Sequence, residues 1–145
     1  VVAVVVYSIL AVMAMRAWPE VLRMDWLDDR VRYGLSATLF GLGLPLWAAG
    51  GRTVMRAYNQ DELMTTGPFA LVRHPLYSSL IVLILPGLAI LIQCLPLFGA
   101  SLVGYAVFKS LIGREDDYLR ERFGQAYEEY RARVNELLPV PRLRN

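Results

Sequence analysis

Arg73-His74-Pro75-Leu76-Tyr77 holds the only histidine of the chain, and Thr65-Thr66-Gly67-Pro68-Phe69 lies just before it. A guanidinium, an imidazole and a phenol gathered here stand at the edge of a long uncharged stretch, Leu76 to Phe108, where desolvation makes unpartnered polar groups costly. They need water or partners, so the cluster is a candidate site. Arginine and tyrosine also anchor membrane interfaces, and proline commonly opens a helix, so simple anchoring is the competing reading. The donor fork of Arg73 suits a carboxylate of a cofactor or substrate, and equally a lipid phosphate. Glu115-Asp116-Asp117 is a second polar cluster, beyond the far end of the same uncharged stretch. Charge runs of this kind usually face water.

The chain that must position these groups has 145 residues, 56% of them hydrophobic, and a positive mean hydropathy of +0.40. That is too apolar for an ordinary soluble domain of this size and reads as a small, single-domain multi-pass membrane protein. A net charge of +2 does not argue for nucleic acid, because the arginines flank apolar spans and form no basic stripe. One cysteine, Cys94, rules out an internal disulfide and a cysteine-rich zinc site. One histidine rules out multi-histidine iron boxes, so no metal is expected.

The expected fold is all-α, a bundle of about four transmembrane helices with a C-terminal amphipathic helix in the cytoplasm. Val1 to Ala17 is nearly all apolar, lacks a basic lead-in and reads as a cropped transmembrane helix. Trp18 to Arg32 suits an interfacial loop or short surface helix. Tyr33 to Gly50 is a second span, whose Gly34, Gly41 and Gly43 let helices approach closely and whose Pro45 can kink it. Gly51 to Arg73 is the longest polar connection. The stretch from Leu76 to Phe108 exceeds the roughly 20 residues of one span, so it must fold back. Gln93-Cys94-Leu95-Pro96 is its expected turn, and Pro86-Gly87 its expected kink. Beyond Lys109, Leu119, Phe123, Tyr127, Tyr130 and Val134 recur at helical spacing and mark an apolar packing face, interrupted by Gly124.

Arginine counting orients the bundle. Arg52, Arg56 and Arg73 in the polar connection, and Lys109 with Arg114, Arg120, Arg122, Arg131, Arg133, Arg142 and Arg144 in the tail, put both segments on the cytoplasmic side. His74 and Glu115 then share one membrane face, within reach of a water-soluble ligand. The excess of arginine over lysine hints at a GC-rich prokaryotic gene, and so at an inner-membrane protein with its site facing the cytosol.

Thr65-Thr66-Gly67-Pro68-Phe69, then Arg73-His74-Pro75-Leu76-Tyr77, then Glu115-Asp116 leading through Leu119 to Phe123-Gly124, Tyr127 and Tyr130, resemble the isoprenylcysteine carboxyl methyltransferase and phospholipid methyltransferase superfamily. The likeness runs from about Leu63 to Pro139. It implies a helical membrane enzyme that takes S-adenosyl-L-methionine from the cytosol and a lipophilic acceptor from the bilayer, a lipid-modifying activity. By resemblance, Leu63, Met64, Phe69, His74, Pro75, Leu76, Tyr77 and Glu115 bind the cofactor, and Arg73 and Glu115 are the catalytic candidates. A sulfonium donor needs an anion or aromatic face, polar groups and apolar walls, which these residues supply.

Two departures from the pattern bear on the acceptor. Asp116 replaces a second glutamate with a shorter carboxylate. Leu111 stands where the family often has an arginine, which weakens the case for a substrate carboxylate and leaves an isoprenylcysteine, a phospholipid amine and a small thiol open. A membrane NADPH-dependent reductase of the sterol reductase type is the rival enzyme, and a non-enzymatic membrane assembly protein the rival without catalysis.

Overall fold

The computed structural model describes residues 2–57 and 62–140, and among them the regular structure is helical, with no strand. Arg142 and Arg144 lie outside the described residues. The elements are α1 (Val2–Ala17), α2 (Pro19–Leu22), α3 (Asp29–Ala57), α4 (Pro68–Leu71), α5 (Pro75–Ser78), α6 (Leu85–Leu91), α7 (Phe98–Phe123) and α8 (Gln125–Arg133). A π-helical segment, Ser79–Ile84, joins α5 to α6, so Pro75–Leu91 is one continuous apolar rod.

Four rods result, and close contacts fix their directions. Tyr7 donates to the Pro96 carbonyl at 3.1 Å, while Val4 lies beside Gly104, so α1 and α7 run antiparallel. Gly87 meets Leu39 and Phe40, and Gly50 meets Pro75, so α3 and the Pro75–Leu91 rod are antiparallel too. Small residues make these approaches possible. A Cβ on Gly43 would sit 3.0 Å from both Ile84 Cγ1 and Leu83 Cβ, whereas Gly34 and Gly41 have nothing within 4 Å. Of the three glycines expected to admit a neighbouring helix, one does so. Gly43→Leu should therefore cost about 1–3 kcal/mol by overpacking, and Gly41→Leu close to nothing, in thermal unfolding of the detergent-solubilised protein. Equal effects at the two positions would contradict this packing.

α3 is longer than the span expected from hydropathy. Asp28 caps its start by accepting the Arg30 N–H at 2.9 Å, and charged turns extend it at both ends. Pro45 is carried inside the helix. The kink expected at Pro86-Gly87 falls just after a π-helical turn. Proline cannot donate to the carbonyl four residues back, and the widened π turn of Ser79–Ile84 lies immediately before it, keeping the rod continuous.

The turn expected at Gln93 is present. Gln93 adopts φ 57°, and its side-chain amide donates to the Met24 carbonyl at 3.1 Å while Met24 N–H donates to the Gln93 carbonyl at 3.0 Å. These bonds hold an unfavourable left-handed residue in place. A core of small and aliphatic residues, Ala11, Leu85, Ala89, Cys94, Leu97 and Ala100, fills this end. Ile81, Phe108, Ile112 and Leu137 form a second core toward the opposite end.

Leu95–Phe123 is the one helix among the described residues that is long and apolar enough to cross a membrane, while Val2–Ala17 and Pro75–Leu91 are apolar but shorter. Of the four spans expected, the described residues show one clear candidate, packed in a bundle of four helical rods. Large apolar side chains, among them Leu42, Leu44 and Trp47, point outward. The segment after Lys109 continues α7 to Phe123, and beyond the interruption at Gly124 it forms the separate C-terminal helix α8.

Candidate functional site

Gly124 brings the site together. Its φ of 52° and ψ of −127° suit a residue without a Cβ, and its N–H closes α7 on the Arg120 carbonyl at 2.9 Å. The chain reverses there, so the apolar stripe read from the sequence is folded into a corner, with Leu119 and Phe123 on α7 facing Tyr127 and Tyr130 on α8. Both tyrosines are buried, as a packing face requires, but their hydroxyls are also bonded. Tyr130 donates to the Phe69 carbonyl at 2.7 Å, and Tyr127 donates to Asp116.

The segment after α8 then crosses the start of the Pro75–Leu91 rod. The Arg73 N–H donates to the Asn135 carbonyl at 2.8 Å, the His74 N–H to the Glu136 carbonyl at 3.1 Å, and Ser78 Oγ to the Leu137 carbonyl at 2.6 Å. His74 is the residue before the first helical turn, with Pro75 as the helix opener. Its backbone donor would otherwise be orphaned, so residues 135–137 fix the imidazole's starting point.

Arg73 is almost wholly enclosed, its side chain 1% exposed. Nη1 donates to Asp116 Oδ1 at 3.1 Å and to the Tyr127 hydroxyl at 3.0 Å, and Nη2 donates to Glu136 Oε1 at 3.2 Å. Lys109 meets the other Glu136 oxygen at 3.0 Å, and Arg131 stands 3.7 Å from Asp116 Oδ2. Arg73 therefore grips two carboxylates of its own chain. The shorter Asp116 does reach a partner, because α7 delivers it directly over Arg73. A buried guanidinium costs several kcal/mol in desolvation and is tolerable here because two carboxylates answer its charge and the Tyr127 hydroxyl accepts a further hydrogen bond.

His74 and Glu115 lie on the other side of this network, outside the uncharged stretch 76–108. A cavity of about 70 Å³ has Leu63, Met64, Phe69, His74 and Glu115 in its walls, together with Arg73, Leu119, Phe123 and the two tyrosines. His74 Nδ1 is 3.9 Å from Glu115 Oε1, too far for a hydrogen bond, and Nε2 is buried without a partner. Burial first, and the Arg73 charge second, lower the His74 pKa from 6.5 to about 4, so the imidazole is neutral at pH 7 and the contact with Glu115 is no ion pair. Burial, then the neighbouring Asp116 charge, raise the Glu115 pKa. Tyr127 is pushed up to about 12, chiefly by burial and then by its bond to Asp116. No group here is a ready strong base. The arrangement offers a carboxylate, a neutral imidazole with an unused nitrogen, and aromatic faces.

Five of the residues expected to contact a cofactor, Leu63, Met64, Phe69, His74 and Glu115, thus share one cavity. Pro75 and Leu76 do not line it; they pack toward Gly50 and Gly51 of α3. Tyr77 lines a different space. Glu136 and the carbonyls of residues 135–137 were not singled out in the sequence, because a backbone pairing more than sixty residues away leaves no spacing pattern. Glu62, a further acidic residue in the cavity wall, has no local motif either.

A second, larger cavity of about 610 Å³ opens between α1, the Pro75–Leu91 rod and α7. Its walls are apolar side chains such as Val5, Ile9, Met13, Leu80 and Val107, with Tyr77 and Ser8. Ser8 Oγ is bonded to the Val4 carbonyl at 2.8 Å. The larger space therefore has the chemistry of a hydrocarbon site, and the small one has the ionisable groups.

Among curated proteins, the chain is similar to the "Probable protein-S-isoprenylcysteine O-methyltransferase" of Oryza sativa subsp. indica, 34% identical over 88 residues, which is 59% of this chain and 46% of that protein. It is also similar to the protein-S-isoprenylcysteine O-methyltransferase of Schizosaccharomyces pombe, 35% identical over 83 residues, 57% of this chain and 35% of that protein. The protein-S-isoprenylcysteine O-methyltransferase B of Arabidopsis thaliana is 28% identical over 85 residues, 59% of this chain and 43% of that protein. The chain spans about half, or less, of the length of the curated relatives it matches. No protein-family model and no solved structure matches it. The names of these curated homologues are consistent with the resemblance carried by the sequence motifs.

Proposed function

We propose that this chain is an integral membrane methyltransferase domain that takes a methyl group from S-adenosyl-L-methionine and delivers it to a lipophilic acceptor. One observation carries this reading: His74, in the wall of the small ionisable cavity, and Tyr77, in the wall of the large apolar one, have ring centroids 6.5 Å apart. The two spaces match a charged, water-soluble donor and a hydrocarbon acceptor. The four antiparallel rods, with apolar side chains outward, support four crossings, with His74 and Glu115 at the cytosolic face.

The residues fit the cofactor in kind. Glu115 offers an anion to a sulfonium or ammonium, the partnerless His74 Nε2 offers a hydrogen-bonding site, and Leu63, Met64 and Phe69 offer apolar wall to an adenine. The cavity as it stands is well below the roughly 300–1,000 Å³ of sites that enclose such a ligand, so binding has to widen it. When bound, S-adenosylmethionine supplies a methyl carbon: the acceptor's lone pair forms the new bond as the carbon–sulfur bond breaks, leaving a neutral thioether. An acceptor that starts as a thiol or ammonium sheds its proton to water. The protein's part is to align the two reactants and exclude water, which needs no strong base.

Calorimetry on the detergent-purified chain with S-adenosylmethionine, S-adenosylhomocysteine and NADPH tests the reading. The sulfur compounds should bind and NADPH should not. Glu115→Gln should weaken binding at least tenfold, about 1.4 kcal/mol. Because Glu115 is half exposed, its loss should change stability by no more than about 0.5 kcal/mol, as for an ordinary surface substitution. Binding of NADPH with neither sulfur compound bound would replace this reading with a reductase. Binding of none of the three would leave a non-catalytic membrane protein.

A further inference from the structure

A third space, a groove of about 570 Å³, runs between the Pro75–Leu91 rod and α7 and is closed along one side by the segment after α8. Ile81 and Val82 of the rod, Leu102 of α7, and Leu137, Leu138 and Val140 of that segment make its walls largely apolar. Leu102, Leu138 and Val140 are 73%, 50% and 54% exposed, so the chain itself leaves the groove uncovered. Only Ile81 is common to its walls and those of the apolar cavity beside α1, which makes it a separate site.

Polarity is graded along the groove. Glu136 is one of its wall residues, and Lys109 Nζ lies 3.0 Å from Glu136 Oε2, which places the ammonium at the rim. Tyr105, also in the wall, is about 6 Å further along α7, and Leu102 about 10 Å. A cation, then a tyrosine, then hydrocarbon is the order in which a bilayer leaflet presents phosphate, headgroup boundary and acyl chain. The rim also has positive charge to spare. Lys109 spends one of its three donors on Glu136, whose carboxylate is shared with Arg73, and Asp116 is in turn shared between Arg73 and Arg131. In this string of pairs three cations stand on two carboxylates. The Lys109 side chain, 44% exposed, is where a further anion can reach it.

We propose that this groove binds one anionic phospholipid, with its phosphodiester on Lys109 and an acyl chain along Val82, Leu102 and Leu138. The proposal rests on the membrane reading of the bundle and not on methyl transfer. Basic pockets between membrane helices at the cytosolic face select anionic headgroups in this way. Residues 135–137, which hold Arg73, His74 and Ser78 from one side, line the groove from the other, so a bound lipid braces the segment that positions the His74 cavity.

Native mass spectrometry of the delipidated, detergent-solubilised chain, titrated with phosphatidylglycerol or phosphatidylcholine of matched acyl chains, tests the site. One phosphatidylglycerol should bind about fivefold more tightly than phosphatidylcholine, the preference expected of a single lysine at a membrane surface. Lys109→Gln should abolish that preference, and Lys109→Arg should preserve it. A phosphatidylglycerol with a diazirine in its acyl chain should label Val82, Leu102 or residues 137–140. Equal binding of the two lipids, an undiminished preference in Lys109→Gln, or labelling spread alike over Leu42 and Leu44 of α3 would overturn the proposal. So would a groove closed to the label by pairing of two copies of the chain. A chain that stays in solution without detergent and binds neither lipid would sink the membrane reading with it; one that needs detergent and binds both lipids alike would sink the lipid site alone.

Discussion

Arg73→Met should lower stability by about 3–5 kcal/mol, the cost of stranding buried carboxylates whose counter-charge has been removed. The loss is large because Arg73 answers Asp116 and Glu136 together and also fills a hydrogen bond to Tyr127. Glu136 keeps Lys109, so the exposed half of the network survives; Asp116 keeps Tyr127 and the more distant Arg131. Adding Asp116→Leu should therefore recover a good part of the loss, since apolar replacement of a whole buried pair is far less costly than removal of one member. Denaturant or thermal unfolding of wild type, both single variants and the double variant gives the coupling energy directly. A single variant within 0.5 kcal/mol of wild type, or a double variant no better than the single, would show that the enclosed pair does not hold the site. The same substitution removes a cation that depresses the His74 pKa, so the imidazole should titrate higher in Arg73→Met.

The second large effect is on acid stability. The native state keeps the His74 imidazole neutral down to about pH 4, while an unfolded chain protonates it near 6.5. Between these values the unfolded state binds more protons, so stability falls as the pH falls through this window. The contribution is complete above 6.5 and gone at about pH 4. The shift corresponds to about 3 kcal/mol, and the 6% side-chain exposure of His74 leaves little solvent to weaken it. Glu115 acts in the opposite direction, because its raised pKa lets the native state take up a proton first. Subtracting the pH profile of His74→Phe from that of wild type isolates the histidine. A difference that stays flat between pH 6.5 and 4 would mean that the imidazole is not held neutral.

What could be read from the sequence follows from how local each signal is. Gly67-Pro68, His74-Pro75, the turn at Gln93 and the break at Gly124 are each set by residues next to one another, and each appears where expected. His74 and Glu115 were brought together by two motifs in order, and the structure puts them in one cavity. The length of α3 was hidden because charged turns at both ends dilute its hydropathy. The partners of Arg73 were hidden for a different reason: Asp116 sits in a run of acids that normally faces water, and Glu136 belongs to no repeating face. Tyr77 shows the limit of motif reading. Three residues on a helix separate one cavity from another, a distinction that neighbours in sequence cannot carry.

The carbonyls of residues 135–137 that receive Arg73, His74 and Ser78 have a consequence for biogenesis. The four rods precede this segment in the chain and are synthesised before it. Until it arrives, the His74 and Arg73 amides have no acceptors and the Arg73 charge lacks Glu136. The rods are made first, and the network that positions Arg73 and His74 is completed last.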